Sequence, residues 1–248
     1  MRDRTGVSVM QCKRAMEEAE GDMKKALAIL KKTSSDIAQK KVGRTVKDGA
    51  VMIKVGDKKA VLISLLCETD FVARNEDFTT LLNTLVDKAL TEGIEKTRRE
   101  AKDAIDTIIQ KTGENIQLGD VYEVSGNVIG AYVHNNKIAV IVSLEGGSAA
   151  LAKDVAMHIA AMKPEYISED EISDDDRKTI TEVFQKEIAN IDKPAEIKKK
   201  MLDGKLLAYF KEKTLPNQVF IKNPDESISE LLEKAKAKIK EVKRYSIL

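Results

Sequence analysis

The chain has 248 residues and is 33% charged, yet Lys and Arg (42) nearly balance Asp and Glu (41), leaving a formal net charge of +1. That length buries a substantial core in one or two domains, the charge balance argues against a dedicated nucleic-acid binder, and Cys12 and Cys67 supply neither a disulfide framework nor metal-ligand spacing. No apolar run reaches the length of a membrane span and no apolar signal segment opens the chain, so a reducing, cytoplasmic compartment is expected.

Residues 1–32 read as a small helical unit. Ser8 caps a helix carrying Val9, Met10, Cys12, Met16 and Ala19; Gly21 and Asp22 close it and cap a second, with Met23, Ala26, Leu27 and Leu30 on one face. Residues 33–48 are polar, with Lys40, Lys41, Arg44 and Lys47 close together, and are expected to be a solvated linker. From Ala50 the period becomes that of strands: 50–55 and 59–66 flank Gly56, Asp57 and Lys58, a good hairpin turn. A helix capped by Asn75 runs to about residue 90 with Phe78, Leu81, Leu82, Leu85, Val86 and Ala89 at helical spacing, and another covers roughly 96–110. Residues 112–116 form a turn before strands at 121–124, 128–134 and 137–144, the last two joined by Asn135 and Asn136. This order predicts an α+β layer with helices packed on one side of a sheet.

Gly146 and Gly147 mark a boundary, after which Ser148 caps a helix in which Leu151, Val155, His158, Ile159 and Met162 share a face. Pro164 stops it. His158 on that stripe reads as a hydrogen-bonded core histidine rather than a catalytic one. Ser173 with Asp174, Asp175 and Asp176 starts a further helix, since carboxylates favour the positive end of the helix dipole; contiguous aspartates lack the spaced loop of a calcium site. Ile180, Val183, Phe184, Glu187, Ile188 and Ile191 trace one stripe, and after Pro194 a second holds Ile197, Met201, Leu202, Leu206 and Phe210. So short a connection forces an antiparallel helical hairpin over about 173–213. A strand near 218–221, a helix capped by Asp225 or Ser227, and a lysine-rich edge strand near 239–245 complete the chain.

Between the 59–66 strand and the helix capped by Asn75 stand Cys67, Glu68, Thr69, Asp70, Phe71, Val72, Ala73 and Arg74. Function concentrates in such connections, and polarity alone would not need Phe71. Residue chemistry alone favours an aromatic folded back onto the core, with Asp70 starting the helix, over one offered to a partner.

Thr69 to Arg74 resembles the signature loop of the elongation factor Ts family, the guanine-nucleotide exchange factors of elongation factor Tu. Three further stretches match in the family's order. The first holds Arg4, Thr5, Gly6, Met10, Cys12, Lys13, Ala15, Gly21, Asp22 and Ala26; the second is Gly113, Glu114, Asn115 and Ile116; the third is 155–161 with Lys163, Pro164 and Glu165. The resemblance spans nearly the whole chain. It implies an α+β fold with a small N-terminal ubiquitin-associated-like helical domain and linker (1–44), a two-subdomain core of antiparallel sheet with packed helices (45–145 and 146–248), and a protruding coiled-coil hairpin. It also implies a first helix cut short, and an end reached before the C-terminal helical extension that many members carry.

What the resemblance implies for function is binding to elongation factor Tu, GDP-bound and nucleotide-free, and faster GDP release during translation elongation. Thr69, Asp70, Phe71 and Val72 carry exchange: Phe71 as a wedge, Asp70 holding the displaced state, with loss of the partner's magnesium coordination as the consequence. Arg2, Val9, Met10 and Lys13 fall where the family touches the partner's nucleotide-binding domain, and Thr112, Gly113, His134 and Ile221 occupy further interface positions. Thr112 stands where an apolar residue is familiar, and Val9 where methionine is common. No cofactor, metal, membrane or direct nucleic-acid contact is implied. A protein that is not an enzyme also fits the absence of a phosphate-binding glycine loop, a nucleophile motif and a metal constellation. Two other readings remain: an RNA- or ribosome-associated module using 40–47 and the lysine-rich C-terminus, and a homodimer formed through the helical hairpin.

Overall fold

The computed structural model describes residues 1–247, with nothing stated of the Asp3 and Arg4 side chains; Leu248, the expected end of the second subdomain, and the Arg4 side chain of the N-terminal motif lie outside the described residues. A single turn, α1 (Arg2–Thr5), closes on Gly6 at φ 66°. Ser8 then starts α2 (Val9–Glu18) through a capping box with Gln11. Asp22 starts α3 (Met23–Gln39) by accepting from the Lys24 and Lys25 N–H groups. Val7, Cys12, Ala15, Ala19, Ala26 and Leu30 form the core of this unit. The solvated linker expected over 33–48 is therefore helix as far as Gln39. Ala26, Leu30, Ser34 and Ala38 recur every four residues and are buried; a stripe finished by Ser and Ala reads as polar in sequence although it lets two helices approach closely.

Two three-stranded antiparallel sheets form the centre. One has the order β1 (Asp48–Val55), β2 (Lys59–Cys67), β3 (Ile116–Ser125); the other has β4 (Val128–His134), β5 (Ile138–Glu145), β6 (Lys238–Ser246). Between β2 and β3 run a one-turn helix, α4 (Asp70–Ala73), then α5 (Glu76–Glu92) and α6 (Ile94–Thr112); α7 (Ala149–Met162) follows β5. Val61, Ile63 and Leu65 of β2 pack with Phe78, Leu82, Ile105 and Ile109 of α5 and α6. The opposite face of β2 puts Ala60 and Leu62 against Ala139 and Ile141 of β5. Val140 and Val142 of β5 then pack on Val155 and Ile159 of α7. Each sheet thus has helices on one side, as expected, while its other side is covered by the second sheet. This layering explains why β2 and β5 are apolar at nearly every position, since both of their faces are buried. Gly130 of β4 lies so close to α7 that a Cβ there would sit 2.1 Å from the Ala152 carbonyl carbon. The sheets are also tied by the Val51 N–H, which donates to the Asn136 carbonyl at 2.8 Å.

After α7 the chain forms the hairpin of α8 (Asp174–Ala189) and α9 (Ala195–Lys213), with Ser173 and Asp176 in a capping box. Its helices are antiparallel: Lys205 pairs with Glu187 at 2.6 Å, and the rings of Phe184 and Tyr209 meet edge to face at 5.8 Å. The seam is narrow enough that no described residue of α9 is fully buried. Ile197, expected on it, is exposed in the first turn of α9. A strand over 218–221 does not form; a 3₁₀ turn at Leu215–Asn217 leads to a single bridge between Val219 and Ser227. Ser227, rather than Asp225, caps α10 (Ile228–Lys234), so the chain turns away before a second rung can form. The architecture as a whole is α+β.

Candidate functional site

β2 ends at Cys67, whose Sγ donates to the Thr69 carbonyl at 3.1 Å. Burial first, then the charges of Asp48 and Glu114, push its thiol up to about 12. It stays protonated at neutral pH and acts as packing. Within the connection, residues 70–73 coil into α4, with Thr69 at its N-cap accepting from the Val72 N–H at 3.5 Å. Ala73 is buried and Val72 packs on the α5–α6 cluster. With both of those side chains facing inward, Phe71 is left 83% exposed. The folded-back reading of Phe71 is thereby removed, and an aromatic that burial would stabilise by about 1.5–3 kcal/mol stands in water instead. Asp70 is half-buried and pairs with Arg74 one turn on at 3.1 Å.

This turn is held at its base by the junction of α6 and β3. Gly113 ends α6 at φ 77°, and Lys41 Nζ donates to its carbonyl. Thr112 Oγ1 donates to the Ile108 carbonyl at 2.9 Å and accepts from the Glu114 N–H at 3.3 Å, which aims the next side chain. The Glu68 and Thr69 N–H groups donate to Glu114 Oε2 at 3.1 and 3.0 Å, and Thr69 Oγ1 donates to Oε1 at 2.6 Å. In return the Asn115 N–H donates to Glu68 Oε1 at 2.6 Å, and Asn115 Nδ2 donates to the Arg44 carbonyl at 2.7 Å. Arg44 itself reaches Glu68 at 3.5 Å. In the sequence, Glu114 and Asn115 stand in a stretch that matches the family and Glu68 in the connection alone, none of them with an expected role. Nothing beyond that placement signals them, because the contacts bridge 45 to 47 residues of chain.

Of the other expected residues, Thr112 and Gly113 join this base directly. His134 is exposed at the end of β4, flanked by Tyr132 OH at 3.0 Å and Asn135 Nδ2 at 3.2 Å. The turn that follows docks beside the same base: Lys137 Nζ reaches Asp48 and donates to the Gly49 carbonyl at 2.7 Å, and Asp48 lies opposite Cys67 in the β1–β2 register. Burial pushes the Asp48 carboxyl up, but the hydrogen bonds from Lys137 and the Gly49 N–H and the charges of Lys137 and Arg74 outweigh it, holding the group below its ordinary value. On the helical unit, Val9 and Met10 are exposed, as are Arg2 and Lys13, the last paired with Glu17 at 3.7 Å. That unit meets the base through Gly6, which lies against the Lys111 side chain, while Lys111 pairs with Asp77 at 2.8 Å. Ile221 is exposed elsewhere, and its N–H donates to His158 Nδ1 at 3.3 Å. No hydrogen bond or ion pair among the described residues joins it to the turn. His158 is buried, with Nε2 donating to Gln218 Oε1 at 2.9 Å. Burial lowers its pKa, so it is the neutral core histidine that its place on the stripe implied. Among the described residues no group of three His, Cys, Asp or Glu side chains is placed to hold a metal ion, and no helix is long and apolar enough to cross a membrane.

A model of the family described as "Elongation factor TS" matches residues 68–247, which include the turn and the Glu114 and Asn115 junction that holds it. A protein of Hahella chejuensis called "Elongation factor Ts" is 41% identical over 261 aligned positions, covering 100% of this chain and 89% of that protein. Proteins of the same name from Cellvibrio japonicus, 39% identical over 100% of this chain and 88% of the relative, and Arthrospira platensis, 40% identical over 90% and 96%, are similar along comparable lengths.

Proposed function

This chain belongs to the elongation factor Ts family, and from that premise we propose that it is a guanine-nucleotide exchange factor that binds elongation factor Tu and speeds GDP release during translation elongation. The observation that carries the reading is Phe71, 83% exposed on a turn whose base is hydrogen-bonded to Glu114 and Asn115. A GTPase holding GDP at nanomolar affinity does so with roughly 12 kcal/mol, and a release factor must weaken that hold transiently. Linkage supplies the means: a protein that binds the nucleotide-free partner better than the GDP-bound one loosens GDP by the same factor. Phe71 wedges between partner side chains and shifts the elements that grip the phosphates and magnesium. Asp70 is held by a surface ion pair worth about 0.3–0.5 kcal/mol, little enough for it to exchange Arg74 for a donor on the partner. Thr112 and Gly113 belong to the same base, His134 offers an exposed side chain at the end of β4, and Arg2, Val9, Met10 and Lys13 offer a second contact on the helical unit. Ile221 contributes a third. A cytoplasmic location follows from that partner.

The RNA-binding reading is less well supported by the basic stretch, because Lys41 and Arg44 are engaged within the chain by Gly113 and Glu68. The test is stopped-flow release of a fluorescent GDP analogue from elongation factor Tu. Release accelerated by orders of magnitude, saturating with this protein, is the expected result; an unchanged release rate would overturn the reading.

A further inference from the structure

We propose that Glu114 is a positioning residue for exchange: its carboxylate holds Thr69 so that the helical turn presenting Asp70 and Phe71 is already formed before a partner arrives. This rests on the exchange reading for its consequence, though not for its geometry. Helix α4 has four residues, too few to persist alone because nucleation orders several residues for one hydrogen bond. Phe71 cannot anchor the turn either, since its side chain is in water. The inward packing of Val72 and Ala73 holds one side of the turn, and its N-terminal start is ordered by the hydrogen bonds at Thr69.

Thr69 has one hydroxyl proton and two lone pairs. Glu114 Oε1 takes the proton at 2.6 Å, which leaves a lone pair for the Val72 N–H at 3.5 Å. Glu114 Oε2 meanwhile takes the N–H groups of Glu68 and Thr69, so three donors converge on one carboxylate. Such charge-assisted bonds are about twice as strong as neutral ones. Glu114 is held in turn by the Thr112 hydroxyl and the left-handed Gly113. The chain of cause therefore runs from the end of α6 through Glu114 and Thr69 to the orientation of Phe71. Initial binding is carried by the contact on α2, and a preorganised turn spares the later wedging step the ordering that a loose one would require as GDP leaves.

Two readouts test this. In the free chain, Glu114→Ala should speed amide hydrogen exchange at Thr69 and Val72 roughly 10-fold, the loss of one or two charge-assisted bonds. In stopped-flow GDP release, the same variant should lower the saturated rate by a similar factor. The concentration giving half the maximum should stay within about two-fold, because the contact on α2 is untouched. Glu114→Gln, which keeps a carbonyl acceptor for the two N–H groups, should fall between, and it carries the test should the alanine variant melt early. Thr69→Ala should match Glu114→Ala, and the double variant should be no worse than either, as expected of residues acting in series. Unchanged exchange at Val72 with an unchanged saturated rate, or additive losses in the double variant, would overturn the proposal. Wild-type protein that fails to release GDP sinks the exchange reading instead, and amide exchange still decides whether Glu114 orders the turn.

Discussion

In both sheets the central strand hands over to a helix that covers it, but the handovers differ. After β5 the link is short: Gly146 and Gly147, at φ 79° and 72°, turn the chain, and Ser148 caps α7. After β2 the link runs from Glu68 to Asn75, adds the turn α4, and recruits Glu114 and Asn115 from the far end of α6. The second half shows how little the fold requires to join strand to helix. What the first half adds is a single helical turn with its aromatic facing outward, and this surplus is where interaction with a partner is expected.

That contrast can be attacked by substitution. The largest effect should come from Phe78→Ala in α5, seven positions from Phe71 but completely buried; emptying that site costs about 3–5 kcal/mol, measured by urea denaturation. Next is Gly146→Ala in the minimal link. A Cβ there would lie 2.3 Å from the Lys236 carbonyl oxygen at a left-handed φ, so a loss of about 1–3 kcal/mol and a lower melting temperature are expected. A smaller effect is tied to pH. His158 is held neutral by burial with its pKa below the ordinary 6.5, so as pH falls through 6.5 the unfolded chain takes up a proton that the folded chain does not, and stability declines with acidification. Denaturation midpoints from pH 7 downward should show this slope, and His158→Gln should flatten it. Smallest of all, Phe71→Ala should move the denaturation free energy by no more than about 0.5 kcal/mol, the reverse of Phe78→Ala in the same half.

Much of this layout was legible in the sequence where one short-range signal sufficed. Ser8, Asn75, Ser148 and Ser173 cap the helices that follow them, and Asn135 and Asn136 take the positive φ of a hairpin turn. The reach of α3 was hidden because its later buried positions are Ser34 and Ala38, which carry little apolar signal. The stacking of the sheets was encoded in the unbroken apolar runs of β2 and β5, but a run buried on both faces does not say what covers it. The failed strand at 218–221 had the right residues; its partner segment was claimed by the cap of α10. In the candidate site the loop and the Gly113–Ile116 stretch both stood out through the resemblance, whereas the contacts that join them did not, because polar contacts across 45 residues leave no periodic trace.

GDP release from elongation factor Tu at saturating Phe71→Ala, beside the melting curve of that variant, decides whether the outward aromatic acts on a partner, as proposed, rather than on the fold. The expected result is an unchanged melting temperature and a release rate lower by roughly 30-fold, the loss of about 2 kcal/mol from a dominant interface residue. A Phe71→Ala protein that releases GDP as fast as wild type would contradict it.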